Sequence, residues 1–135
     1  MNFRDTPSCI EKDFNMTDYE TRLDALKTKY PFSKWIETGL PQYTKKACAA
    51  CAAIFDTLLH DLGALGEHAD EPGKLAAFRK AIRALNTLNE HDDRLIETGE
   101  REELCALCNT IATVAGIDPT DYGGGEGPAS EWREW

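Results

Sequence analysis

The chain has 135 residues, 41% of them hydrophobic and 29% charged, with 15 basic residues against 24 acidic ones. That is the size of one domain, roughly 100 to 200 residues, with the composition of an ordinary globular protein. A net charge of -9 argues against a nucleic-acid backbone or an anionic membrane surface as partner, because both repel it across a Debye length of about 8–10 Å.

Residues 1–16 show no clear period and are expected to be irregular. Thr17 followed by Glu20 is a capping box, and Tyr19, Leu23, Leu26 and Tyr30 then recur at helical spacing up to Pro31. Phe32, Trp35 and Ile36 form a short amphipathic turn stopped by Gly39 and Pro41. From Thr44 to about Leu62, Cys48, Cys51, Phe55, Leu58 and Leu62 mark a broad apolar stripe in an alanine-rich helix.

The stretch from Gly63 to Gly73 reads as a loop. Pro72 suits the first turn of a helix with Leu75, Phe78, Ile82, Leu85 and Leu88 on one face. Lys74, Arg79, Lys80 and Arg83 are left for solvent. Beyond a charged turn from Asn89 to Arg94, Thr98 is the expected N-cap of a helix bearing Leu104, Cys105, Cys108, Ile111 and Ala115. Gly116 stops it, with Ile117 placed for the apolar contact of a glycine cap. The tetrapeptide at Ile36–Gly39 recurs at Ile96–Gly99, but the spacings to the following cysteines differ.

Four helical stripes with short connections predict an all-α compact bundle over residues 17–117 within a single domain of residues 1–135. The glycine-rich tail, residues 118–135, is expected to dock on that bundle, with Gly123–Gly127 as a flexible joint. No apolar run approaches the roughly 20 residues of a membrane span, and no secretory signal opens the chain, so a cytoplasmic location is expected.

Cys48 and Cys51, and Cys105 and Cys108, form two Cys-x-x-Cys pairs. Four thiolates can close a tetrahedral zinc site, yet these pairs lie on apolar helical stripes, so buried cysteine without metal or other cofactor is the reading taken. Zinc is the alternative. His60, His68 and His91 have no ligand spacing, and no catalytic motif accompanies them; an enzyme of unrecognised type ranks third.

The acidity belongs to the second half: residues 104–135 hold one basic residue against five acidic ones. Glu90, Asp92, Asp93, Glu97, Glu100, Glu102 and Glu103 form an acidic ridge suited to steering a basic protein partner. The tail adds Trp132 and Trp135, which either complete the domain or anchor that partner. Docking on their own bundle is expected, and both stay among the candidate binding residues. The functional expectation is a non-enzymatic binding protein; bacterial immunity proteins that block basic nuclease toxins are one class of this size, acidity and helicity.

Overall fold

The computed structural model describes residues 17–91 and 95–135. The irregular amino-terminal segment expected over 1–16, and Asp92, Asp93 and Arg94 of the charged turn, lie outside the described residues. Within them the chain is all-α, with no strand.

Helix α1, Asp18–Ala25, starts on the expected capping box: Thr17 Oγ1 accepts the Glu20 N–H at 3.0 Å, and the Glu20 carboxylate accepts the Thr17 N–H at 2.9 Å. A 3₁₀ turn, Leu26–Lys29, carries it to Tyr30, which is extended as a residue before proline must be. Helix α2, Phe32–Glu37, is the short amphipathic turn. Helix α3, Lys45–Leu65, begins where Thr44 Oγ1 accepts the Ala47 N–H at 3.0 Å. Helix α4, Glu71–His91, follows a connection of five residues, 66–70.

That connection is shorter than the loop expected from Gly63 to Gly73, since both glycines are helical. Each has a local reason. A Cβ at Gly63 would stand 3.3 Å from Cγ of Glu20, so the glycine lets α1 pass close to α3. At Gly73 the N–H donates to the Asp70 carboxylate at 3.0 Å, which makes Asp70 the cap of α4.

Helix α5 spans Thr98–Ala115. The expected cap falls one residue early: Glu97 occupies the N-cap position with no side-chain hydrogen bond, and Thr98 is already helical. The other end follows expectation. Gly116 adopts the left-handed conformation (φ 88°), the Ile117 N–H donates to the Ala112 carbonyl at 2.9 Å, and Ile117 is buried.

Lys74 corrects the expectation that it faces solvent. It is 5% exposed, and its ammonium donates to the Ala115 carbonyl at 2.7 Å and the Glu67 carbonyl at 2.6 Å, 5.7 Å from the centre of the Tyr19 ring. A buried cation is tolerated where strong acceptors replace water, and the last carbonyls of a helix, carrying its negative dipole end, are such acceptors.

Helix α3 packs on α4, α1 and α2; α5 packs on α1. One core joins them, with Leu23, Trp35, Cys51, Phe55, Leu62, Phe78, Ile82, Leu85, Leu104, Cys108 and Ile111 buried. Among the described residues α3 alone is, by length and hydropathy, apolar enough to match a membrane span, although only 33% of that stretch is buried in the bundle. It is not one unbroken apolar run, because Lys45, Lys46, Asp56, His60 and Asp61 divide it into pieces.

The tail docks on the bundle. After 3₁₀ turns at Pro119–Asp121 and Gly123–Gly125, helix α6, Ala129–Trp132, lies against α4 and α5. The glycine run is a packed turn rather than a flexible joint. At Gly127 φ is +120°, and a Cβ would fall 1.9 Å from Oδ1 of Asn109, whose amide in turn donates to the Glu126 carbonyl at 3.1 Å. Only a residue without a side chain fits a backbone pressed this close in that conformation.

Candidate functional site

The ridge carboxylates do not form one face. Glu97, Glu100 and Glu103 recur every three residues on α5, so they share one side of the helix, and that side meets α2 and the connector after it. Glu103 accepts the indole N–H of buried Trp35 at 2.7 Å. Glu97 accepts from the Gln42 amide at 3.4 Å. Tyr43 stands beside Glu100, its phenol held above its ordinary pKa by burial first and by Glu100 second. Glu102 faces elsewhere, into a groove of about 440 Å³ that it shares with Arg101, Cys105, Asn109, Glu126 and Arg133. Glu90 is exposed near the end of α4. Asp92 and Asp93 lie outside the described residues.

None of Glu90, Glu97, Glu100, Glu102 and Glu103 forms an ion pair among the described residues, where the pairs are Arg22 with Asp18 and Glu67, Lys27 with Asp24, Lys80 with Asp61, and Arg133 with Glu126. Lys29 and Lys34 line the same cleft as Glu103 without closing to ion-pair distance. The donors that hold Glu97 and Glu103 in place are uncharged. The part played by Trp35, Gln42 and Tyr43 escapes a reading of sequence alone, since they lie more than fifty residues upstream of their partners.

Cys48, Cys51 and Cys108 are buried, and Cys105 is partly exposed. Burial pushes every one of these thiols up, Cys51 to about 12. Arg133 and Arg101 oppose the shift at Cys105 without reversing it. Among the described residues no three His, Cys, Asp or Glu side chains gather closely enough to hold a metal ion, so the two pairs do not converge on a common centre. His60, His68 and His91 are all exposed.

Trp132 and Trp135 are half-buried against the core. Buried Asn86 holds the backbone around them: its amide donates to the Trp132 carbonyl at 3.0 Å, and its carbonyl accepts the Glu134 N–H at 2.9 Å. Arg133 turns back on the tail, donating to the Trp135 carbonyl at 2.6 Å and to Ser130 Oγ at 3.1 Å, with its guanidinium 5.8 Å from the centre of the Trp135 ring. The two tryptophans thus have an internal role, packed against the core with their backbone held by Asn86.

Compared with protein-family models, with curated proteins and with solved structures, the chain matches none.

Proposed function

We propose that the protein is a non-enzymatic binding module that docks a basic protein through the acidic surface of α5 and the tail. The observation that carries this is the pairing of the α5 carboxylates with uncharged donors. A carboxylate fixed by an indole or amide keeps its full negative charge, and fixed like charges build the local potential that steers a basic partner. The single basic residue of 104–135, Arg133, faces Glu126, so the neighbouring tail adds to that potential rather than offsetting it. Size, acidity and helicity support the likeness to bacterial immunity proteins, which neutralise basic nucleases.

Affinity capture from the source organism, with bound material eluted by rising salt, tests the reading. Basic proteins are expected in the eluate. Reversing Glu97 and Glu100 to lysine together is expected to slow their association about tenfold at low salt with little change in dissociation, as for charges at an interface rim. An eluate without basic proteins, or an unchanged association rate, would overturn it.

A further inference from the structure

The tail is held on the α4–α5 face in the manner of a bound peptide. Helix α6 gives way after Trp132 to extended backbone at Arg133 (φ -68°, ψ 145°). Buried Asn86 binds that backbone rather than any side chain of it, its amide donating to the Trp132 carbonyl at 3.0 Å and its carbonyl accepting the Glu134 N–H at 2.9 Å. A side-chain amide offers a donor and an acceptor side by side, so it pairs with a carbonyl and an N–H two residues apart much as a neighbouring strand would. Such a contact reads the direction and extension of a chain but not its sequence. Selection falls to Trp132 and Trp135, three positions apart and both packed against the core.

The segment is bonded largely within itself. Glu131 accepts the Gly123 N–H at 2.6 Å, Ser130 donates to Glu126 at 3.2 Å, and Arg133 donates to Ser130 and to the Trp135 carbonyl. Its hydrogen bonds to α4 and α5 run through Asn86, Asn109 and Tyr122, the last on Glu71. The seam is not closed: the groove of about 440 Å³ lies along it, with Arg101, Cys105 and Asn109 on the α5 wall and Glu126 and Arg133 on the tail wall. Among the described residues three buried side-chain polar atoms lack a hydrogen-bond partner, and two of them, Asn109 Oδ1 and Trp135 Nε1, belong to this contact. An unpaired buried group loses its hydration without return, so a segment that pairs either atom gains over the tail at the same place.

We propose that the α4–α5 face around Asn86 is a peptide-binding site which the chain's own residues 129–135 fill, and that a segment of another protein, with aromatic residues three positions apart where a helical turn becomes extended, takes their place. The tail is then an intramolecular competitor at an effective concentration of roughly millimolar. It shuts the site against weak ligands and yields it to tight ones. A second copy is the poorer source of the segment, because exchange of tails brings together two chains of net charge -9. Glu97 and Glu103 lie on the side of α5 that meets α2 and its connector, so this site stands or falls apart from the acidic surface of that helix.

The test uses the full chain, labelled with nitrogen-15, and a synthetic peptide with the sequence of residues 126–135. With the peptide at roughly millimolar concentration, to match the competitor, the indole N–H signals of Trp132 and Trp135 are expected to move to their solvent-exposed positions, while that of Trp35, bonded to Glu103, stays. A peptide N-methylated at the position of Glu134, which cannot donate to Asn86, or one with alanine for both tryptophans, is expected to displace the tail about tenfold or more weakly. In the full chain carrying Trp132→Ala and Trp135→Ala, where the competitor is weakened, a fluorescent form of the peptide should bind about tenfold or more tightly than to the unaltered chain, and adding Asn86→Leu should abolish that binding. Displacement in the unaltered chain decides the matter should these variants fail to fold. Unmoved Trp132 and Trp135 signals, movement of Trp35 along with them, or equal action of the N-methylated peptide would overturn the proposal. So would light scattering that shows a dimer with both tryptophan signals still docked, which would make the tail of a second copy the occupant.

Discussion

The α3–α4 hairpin and the segment from Ile117 to Trp135 cover the same core by opposite means. The hairpin does so with repetition: apolar residues return every three or four positions, and Phe55, Leu58, Leu62, Phe78, Ile82 and Leu85 are buried along it. No single polar contact defines it. The tail has only Ile117, Gly127, Pro128 and Ala129 fully inside. It is positioned instead by individual hydrogen bonds from Asn86 and Asn109 and by glycines that admit close backbone contact. Packing that is spread over many similar residues tolerates change at any one surface position, whereas placement by a few specific contacts fails when one is lost.

The largest effect is expected in the hairpin's interior. Phe55→Ala empties a fully buried ring site that touches Tyr30 and Phe32, and calorimetry should show a loss of about 3–5 kcal/mol. Gly127→Ala should follow, at about 2–3 kcal/mol, from the positive φ and the collision with Asn109. A loss near that of an exposed alanine substitution would mean that the tail adjusts freely and is not positioned by contact. Asn86→Leu comes next, about 1–2 kcal/mol by denaturant titration, because the Trp132 carbonyl and the Glu134 N–H lose their partner. Indole fluorescence should then report the tail loosening before the hairpin melts; simultaneous loss would show that the two regions unfold as one.

The smallest effect is one of pH. Burial raises Tyr19, Tyr30, Tyr43 and all four core thiols in the folded state, Cys51 to about 12. Groups shifted upward favour the folded state fully below their unfolded pKa, about 8.5 for a thiol and 10 for a phenol, and lose that contribution as pH rises toward the folded values. The melting temperature is therefore expected to be flat near neutrality and to fall above about pH 9. Insensitivity up to pH 11 would show these groups to be accessible in the folded protein.

The same contrast explains what could be read from sequence. Periodicity located α1, α3, α4 and α5, the burial of Cys51 and Cys108, and the glycine stop at Gly116, because each depends on neighbours three or four positions away. Lys74 was misassigned because its acceptor, Ala115, is forty-one positions distant. The glycine run looked flexible for the same reason: what makes Gly127 rigid is Asn109 on another helix. Of the acidic ridge, composition revealed the charge but not its division between the Trp35 side and the Arg101 groove, which depends on α2 folding back beside α5.

The Lys74 contact bears on where α5 moves. Helices ordinarily fray at both ends, where backbone groups lack partners within the helix. In α5 the carboxyl end is clamped by an ammonium that also holds the connection between α3 and α4 through Glu67, while the amino end starts at Glu97 without a side-chain cap. Breathing of this helix is thereby directed to one terminus, the one that bears Glu97, Glu100 and Glu103. The contacts of Glu97 with Gln42 and of Glu103 with Trp35 are then what limits opening at that end.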